Sequence, residues 1–213
     1  MQLESIDLDN AIIKYKSNIL TKEKCDKYYS KFLDTFQMFR RSVNYGESRG
    51  KLNRATCVFG DENPDFSIPD IWGEETVLNF WTPELLEIKA MVEQLTGFTY
   101  NICLCNYYST KNRTIGWHSD REEFGDTQSI ASVSIGSERH FLFRRKGEEY
   151  IRKDLVLENG SLLWMGPGTQ ENYEHCVPPD QNVVGGRFNL TFRKFNKANY
   201  EKPYLSTCEK GVN

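Results

Sequence analysis

The feature that most constrains the fold is a series of short segments with high β propensity in the second half of the chain. Valine, isoleucine, phenylalanine and tyrosine are concentrated there in stretches that turn-forming residues separate. Many short strands in succession favour a sandwich or a barrel. We predict strands at residues 99–108, 128–135, 140–145, 154–157, 161–165 and 187–193.

Two helices are predicted before these strands. Thr21 is a typical N-cap, and apolar residues then recur at spacings of three and four as far as about Phe39. The second helix begins at Thr82, with proline at its first helical position, and ends at Gly97. A chain of 213 residues fits one domain with a sizeable core.

Composition and charge limit the classes of protein to which this chain can belong. The net charge is only −3, so any contact with nucleic acid must come from a local basic patch. No apolar run approaches the length of a membrane span. The six cysteines lack zinc-finger spacing, and we expect free thiols in a soluble intracellular protein, cytoplasmic or nuclear.

The spacing of His118 and Asp120 suits a metal site, although a turn in which Asp120 is a cap and His118 is half exposed would show the same residues. Side chains two residues apart on an extended segment project from the same face, so both can reach one divalent cation. His175 is far enough along the chain to come from a different strand, and two histidines with one carboxylate suit non-haem Fe(II). Zinc would accept the same ligands, so the spacing alone leaves the metal open. We expect His140 to be a packed or surface histidine.

The segment from Arg187 to Arg193 alternates strictly between polar and apolar residues. Arginine binds carboxylates in bidentate fashion, so the polar face suits a dicarboxylate co-substrate. A half-buried strand with a solvated polar face would show the same alternation. The polar face carries Arg187, Asn189, Thr191 and Arg193, and the other carries Phe188, Leu190 and Phe192.

In their order along the chain, these pieces resemble the AlkB family of iron- and 2-oxoglutarate-dependent dioxygenases, and most closely its nucleic-acid demethylating branch. The resemblance covers roughly residues 100–193. The matching pieces are Asn106-Tyr107-Tyr108, His118-Ser119-Asp120 with Glu122, Ser134-Ile135-Gly136 with Arg139 and Phe141, Gly160-Ser161-Leu162-Leu163, His175, and residues 187–193.

The resemblance implies an α+β fold: a double-stranded β-helix (jelly-roll) core, two N-terminal buttressing helices and a substrate-recognition lid. Within one domain, residues 1–98 would form the helices and lid, 99–193 the catalytic β core and 194–213 a tail. The implied reaction is oxidative demethylation of N-alkylated nucleobases in DNA or RNA. It would use Fe(II), O2 and 2-oxoglutarate, and would release succinate and formaldehyde.

The resemblance also implies roles for individual residues. The iron ligands, which form the catalytic centre, would be His118, Asp120 and His175. The 2-oxoglutarate site would consist of Arg187 and Tyr108 at the distal carboxylate, Arg193 and Asn106 nearer the metal, and Asn189 and Thr191 between them. The substrate-binding residues would be Tyr45, Arg54, Arg121, Glu122 and Trp164.

The substrate is the least constrained of these expectations. Arg121 stands where related demethylases commonly carry a second acid, so the preferred base stays open. Trp164 fits a base pocket and a protein core equally well. The basic segment 40–54 corresponds to the family's lid and suits phosphate contact, although a solvated surface loop would look the same.

We expect a monomer that favours methylated single strands, because so short a basic segment can hold few phosphates. Two alternatives are a 2-oxoglutarate oxygenase of proteins or small molecules, and a catalytically silent binding module on the same fold.

Overall fold

The structure is a computed structural model that describes residues 2–45, 48–61 and 76–196, without the side chains at 43–45 and 48–49. Most of the predicted tail, 194–213, lies outside the described residues. The helices are α1 Lys22–Thr35, α2 Pro83–Thr96 and the single turn α3 Thr169–Asn172, and a 3-10 turn covers Glu122–Phe124. The strands are β1 Glu4–Ile6, β2 Ile13–Lys16, β3 Ser42–Tyr45, β4 Ser48–Lys51, β5 Ala55–Gly60, β6 Leu78–Phe80, β7 Ile102–Tyr108, β8 Ile115–His118, β9 Ile130–Gly136, β10 Arg139–Arg145, β11 Lys153–Leu157, β12 Leu162–Met165, β13 Tyr173–Val177 and β14 Arg187–Arg193.

Two sheets form the predicted jelly-roll. The large sheet has the strand order β1-β2-β12-β9-β14-β7-β5-β6, and the small sheet has the order β11-β10-β13-β8. Within both sheets every pairing is antiparallel except β5 with β6. Apolar side chains between the sheets form one core cluster, to which β10, β12 and β13 contribute Phe143, Leu163 and Tyr173.

The two predicted helices cover the outer face of the large sheet. Phe32 of α1 and Ile88 of α2 belong to one buried cluster with Phe188 and Phe192 of β14. Each helix begins as predicted, because the side chains of Thr21 and Thr82 accept hydrogen bonds from the first helical turn. The helices therefore support the sheet from behind and leave its inner face to the site.

Helix α1 ends at Thr35 and not at about Phe39 as predicted. Phe36 already has an extended backbone, and Phe39 exchanges two backbone hydrogen bonds with Thr56 at 3.3 and 2.8 Å. The apolar spacing continues past the helix end because Phe36 still packs on Phe59 and Phe188.

The N-terminal part contributes more strands than predicted. β1, β2, β5 and β6 join the large sheet, so the β core is not confined to residues 99–193. The basic segment, predicted as an irregular loop, contains the hairpin β3–β4. The five cysteines within the described residues are all free and buried, as predicted. Across the same residues, no helix has the length and apolar character needed to cross a membrane.

Candidate active site

The two predicted histidine ligands come from neighbouring strands of the small sheet. His118 ends β8 and is paired with His175 of β13 across the antiparallel ladder. Asp120 follows shortly after, with its carboxylate 4.0 Å from Nε2 of His118 and 3.8 Å from Nε2 of His175. One ligand atom from each residue lies within 4.8 Å of the others. The structure thus brings together the three side chains that the spacing predicted.

Hydrogen bonds hold the imidazole of His118 and the backbone of Asp120 in place. Nδ1 of His118 lies 2.8 Å from the carbonyl oxygen of Gly116. If Nδ1 carries the proton and donates it there, the lone pair on Nε2 faces Asp120. The backbone N–H of Asp120 donates to Oε1 of Gln170 at 2.9 Å, which fixes the turn after β8.

The charge states of the triad suit a cation. Burial, and then the neighbouring His118, lower the pKa of His175 to about 3, so the imidazole of His175 is neutral at pH 7. Burial acts to raise the pKa of Asp120, but the neighbouring His175 and Arg193 outweigh it and the pKa falls below its usual value. A neutral imidazole and an ionised carboxylate are the forms in which these groups bind metals.

Arg187 is the most unusual buried group of the polar row on β14. It is 1% exposed, and its guanidinium lies 5.3 Å from the centroid of the Tyr108 ring. Its NH2 group donates to Oγ of Ser134 at 2.9 Å, whereas Nε and NH1 find no partner among the described residues. Burial lowers the pKa of Arg187 to about 10, which Tyr108 partly opposes, so the group remains charged at neutral pH. Two buried, unpaired donors on one cation are strongly unfavourable, and a carboxylate would satisfy both.

Arg193 ends the row beside the triad. It is also buried, and its NH2 group donates to the carbonyl oxygens of Arg121, at 2.7 Å, and of Gly125. Its Nε has no partner within the part of the chain that the structure describes. Burial lowers the pKa of Arg193 while Asp120 raises it, which ties this end of the row electrostatically to the triad.

The amides of the row form a short network between the two arginines. Nδ2 of Asn189 donates to Oγ of Ser132 at 2.6 Å, and Oγ1 of Thr191 donates to Oδ1 of Asn189 at 3.0 Å. Nδ2 of Asn106, opposite Asn189 on β7, donates to the same oxygen at 3.4 Å. Nε of Arg54 in turn donates to Oδ1 of Asn106 at 2.6 Å.

One cavity of about 210 Å³ contains both the triad and the row. Its wall also includes three cationic side chains, those of Arg41, Arg54 and Arg121. Burial, and then the charge of Arg54, lower the pKa of Arg41 to about 10, so the two guanidinium groups are charged and repel each other. An anion between them would relieve this repulsion.

Not every predicted substrate residue reaches the cavity. Arg54 and Arg121 line it, but Glu122 is exposed and is not part of its wall. The side chain of Tyr45 lies outside the described residues. Trp164 does not line the cavity: its indole is in the cluster behind the large sheet, where Nε1 donates to Oγ of Ser129 at 2.9 Å.

The residue of β12 that does line the cavity is Met165, since neighbouring strand residues face opposite ways. The sequence analysis did not identify Arg41 as a residue of the cavity wall. The basic segment around it has no periodic pattern that would assign its side chain to one face. Phe141 stacks on His175 with ring centroids 5.0 Å apart and helps to line the cavity. In the sequence, the role of Phe141 in the cavity wall was indicated only by its place in the family motif that includes Arg139. His140 pairs with Asp154 on the surface, 2.8 Å away, and takes no part in the site.

The residues present fit both an iron ion and a dicarboxylate. The donor set is a facial triad in which the carbonyl of Gly116 orients His118 and the ring of Phe141 stacks on His175. The N–H groups of Arg187 that have no partner among the described residues lie in the same cavity. A jelly-roll that carries a two-histidine, one-carboxylate centre beside a buried arginine defines the class of non-haem iron oxygenases.

The particular family follows from comparison with known proteins. The profile of the 2OG-Fe(II) oxygenase superfamily matches residues 15–193. The chain belongs to this superfamily and, within it, to the AlkB family.

Named relatives agree with this placement. The DNA oxidative demethylase ALKBH2 of Mus musculus is 32% identical over 81% of this chain and 76% of its own length. The alpha-ketoglutarate-dependent dioxygenase alkB homolog 3 of Homo sapiens is 39% identical over 75% of this chain. The chain spans about half of that relative's length, 52%. A solved structure, that of OsALKBH1, covers 91% of this chain and all of its own, with a TM-score of 0.53 at 18% identity, and so supports the fold alone.

Proposed function

We propose that this protein is an Fe(II)- and 2-oxoglutarate-dependent dioxygenase that removes N-methyl groups from nucleobases of DNA or RNA. The observation that carries the proposal is Arg187, a buried cation in the same cavity as the triad, with two donors that have no partner in the described part of the chain. Such a group needs a carboxylate there. The demethylase relatives of the AlkB family support the choice of substrate.

His118, Asp120 and His175 would hold the iron through two nitrogens and one oxygen. Bound Fe(II), with O2 and 2-oxoglutarate, supplies the chemistry that converts an N-methyl group to formaldehyde and 2-oxoglutarate to succinate and carbon dioxide. A triad of three protein ligands leaves coordination positions open for the co-substrates.

The row on β14 would orient 2-oxoglutarate. Arg187 binds its distal carboxylate through Nε and NH1, and the Tyr108 phenol completes that end. Arg193 and Asn106 hold the end nearer the metal, with Asn189 and Thr191 between them. Because Arg193 lies at the triad end of the row and Arg187 at the other, the 2-oxo acid end of the co-substrate would point to the metal and its distal carboxylate to Arg187.

The cationic wall would receive the nucleic acid. Arg41 and Arg54 bind a phosphate beside the target base, and Arg121 lies at the same wall. Few cations take part, and a base within a duplex must be extruded at a cost of a few kcal/mol. We therefore propose that the protein acts as a monomer and favours single strands.

The test is a mass-spectrometric screen of methylated oligonucleotides, free and annealed, with iron, ascorbate and 2-oxoglutarate. We expect loss of a methyl group and formation of succinate, faster on the free strand. His118→Ala is the matched inactive control. Faster turnover of the duplex would overturn the strand preference. Succinate formation that none of the methylated oligonucleotides raises above its level without them would overturn the choice of nucleic acid.

The second candidate is a 2-oxoglutarate oxygenase that acts on a protein or a small molecule. Two observations favour it: the net charge of −3 and Arg121, a cation in the cavity wall. A cation beside the substrate position disfavours a positively charged methylated base. Co-substrate turnover that only acidic peptides or metabolites stimulate would establish this alternative.

A further inference from the structure

Asn53 connects the basic hairpin to the loop that carries the metal-binding strand. The residues at the foot of the β3–β4 hairpin, 40–41 and 52–54, are called the hairpin base here. Nδ2 of Asn53 donates to the carbonyl oxygen of Asn112 at 3.1 Å and to Oγ1 of Thr114 at 2.8 Å. NH1 of Arg113 donates back to Oδ1 of Asn53 at 3.2 Å. One side chain thus makes three hydrogen bonds to loop 109–114.

The same loop is tied to the proposed 2-oxoglutarate site. It begins directly after Tyr108 of β7 and leads into β8, which ends at His118. The carbonyl oxygen of Arg113 accepts a hydrogen bond from NH2 of Arg139 at 3.0 Å. Arg139 is 1% exposed, and its guanidinium lies 5.7 Å from the centroid of the Tyr108 ring. Arg187 contacts that same ring at 5.3 Å, so Tyr108 is shared by two cations.

A second, shorter connection runs through the neighbouring residue. Nε of Arg54 donates to Oδ1 of Asn106, and Asn106 donates to Asn189 of the polar row. The hairpin base is itself held together, because Leu52 donates its backbone N–H to the carbonyl oxygen of Arg41 at 2.9 Å. Movement of the row or of Tyr108 would therefore reach both cavity-lining cations, Arg41 and Arg54.

We propose that Asn53 is a positioning residue that couples the hairpin base to the 2-oxoglutarate site. A dicarboxylate that pairs with Arg187 draws Tyr108 and Arg139 into one arrangement, which fixes loop 109–114. Asn53 passes that order to Arg54, so the co-substrate prepares the cationic wall for its substrate. The inference rests on the proposed function in one respect only, namely that 2-oxoglutarate is the ligand of Arg187.

Hydrogen exchange tests the coupling without any nucleic acid. The probe is the full chain loaded with Mn(II), which replaces iron without turnover, measured with and without 2-oxoglutarate. In the wild type we expect the co-substrate to slow exchange at residues 50–56 by about fivefold, a typical coupling factor. In Asn53→Ala that effect should fall well below fivefold at residues 50–56, because only the contact of Arg54 with Asn106 remains, and it should persist in β14. Thr114→Val, which removes one of the three hydrogen bonds, should lose part of it.

Two controls separate coupling from general damage. Asn182→Ala changes an exposed asparagine on another loop and should behave as the wild type does. Asn53→Asp keeps the acceptor for Arg113 and should recover part of the effect. Equal slowing at residues 50–56 in wild type and Asn53→Ala would overturn the coupling, as would slowing of β14 alone in the wild type. If 2-oxoglutarate slows hydrogen exchange nowhere in the wild type, the proposal that it is the co-substrate is overturned as well.

A binding measurement extends the test to the substrate. The probe is a fluorescein-labelled single strand with one N-methylated cytosine, titrated against the same Mn(II)-loaded variants. We expect 2-oxoglutarate to lower its Kd about fivefold in the wild type and clearly less in Asn53→Ala, where only the contact of Arg54 with Asn106 remains. The same factor in both proteins would contradict the coupling and leave the demethylase proposal intact.

Discussion

The two faces of β14 have opposite chemistry although they share one backbone. The outer face places Phe188, Leu190 and Phe192 in the cluster under the helices. There Phe188 meets the rings of Tyr29, Phe32 and Tyr107 at centroid distances of 5.3, 5.7 and 4.5 Å. The inner face buries charged and amide groups, and two of them, Arg187 and Arg193, have donors left unpaired among the described residues.

The difference separates stability from function along a single strand. Burial of an aromatic side chain stabilises the fold by a few kcal/mol. A buried arginine without its counter-ion does the reverse, so the inner face is kept at a cost in stability. Variants of the two faces should therefore fail in different ways.

The largest expected effect is on the triad that faces the polar row. His175→Ala should abolish turnover and reduce bound iron to background, because two ligands cannot replace three. The fold should persist, since the site is local. Metal content and circular dichroism are the measurements, and His140→Ala is the matched control. Full activity of His175→Ala would show that the metal lies elsewhere.

Arg187→Met removes the charge from the inner face and keeps much of the volume. Loss of a buried, hydrogen-bonded charge pair should weaken 2-oxoglutarate binding by about 3–5 kcal/mol, a hundredfold or more. The melting temperature without co-substrate should stay constant or rise, because the unpaired donors are gone. Calorimetry and thermal unfolding are the measurements.

Arg187→Lys sharpens this result, because a point charge cannot reproduce the guanidinium fork and should restore little binding. Normal 2-oxoglutarate affinity in the Met variant would place the co-substrate elsewhere.

Phe188→Ala tests the outer face. The cavity it leaves should lower the free energy of unfolding by about 3 kcal/mol or more. Activity per folded molecule should be unchanged, since the ring does not touch the cavity. Phe80→Ala, at a 63% exposed position, should change stability by only about 0.5 kcal/mol. A lower affinity of folded Phe188→Ala for 2-oxoglutarate would break the separation of the two faces.

Salt dependence gives a smaller effect at the cavity wall. Replacement of Arg41 or of Arg54 by Ala should make oligonucleotide binding less dependent on salt. In each variant the slope of log Kd against log salt concentration should decrease by about one, as expected for one lost phosphate contact. Lys22→Ala, on the helix behind the large sheet, should leave the slope unchanged. An unchanged slope in the arginine variants would remove the hairpin base from the nucleic-acid site.

The smallest effect concerns β12, which also has two faces. Met165→Leu conserves volume, so stability should change by less than about 1.5 kcal/mol. Relative rates on different methylated bases should shift because the side chain lines the cavity. Trp164→Phe should leave those rates unchanged. If Trp164→Phe shifts the relative rates and Met165→Leu does not, Trp164 and not Met165 contacts the substrate base.

Strong alternation made much of the site predictable. Residues 187–193 alternate without a break, and His118 and Asp120 are two apart, so each set could be assigned to one face. Leu162-Leu163-Trp164-Met165 is apolar throughout, and nothing in it tells one face from the other. A slip of one residue reverses every side chain of a strand, so the sequence left Trp164 open between a base pocket and the core.

Long-range contacts account for the rest. Segment 42–51 has no alternation, so the hairpin could not be distinguished from a loop. The bonds of Asn53 span about sixty residues, with separations of 59, 60 and 61, and no local pattern encodes them. The end of α1 was missed because Phe39 pairs with Thr56, a contact that the helical spacing does not reveal.

The place of β14 within its sheet determines which part of the site loses its structure first when the protein is damaged. The strand is bonded on both sides, to β7 and to β9, whereas the hairpin base is held to loop 109–114 by side chains such as Asn53. Heat or limited proteolysis would therefore loosen the substrate wall before the co-substrate row. A sample in which only the substrate wall is disordered would continue to consume 2-oxoglutarate without removing methyl groups. The ratio of formaldehyde to succinate, and not the rate of either product alone, would report how much of a sample is intact.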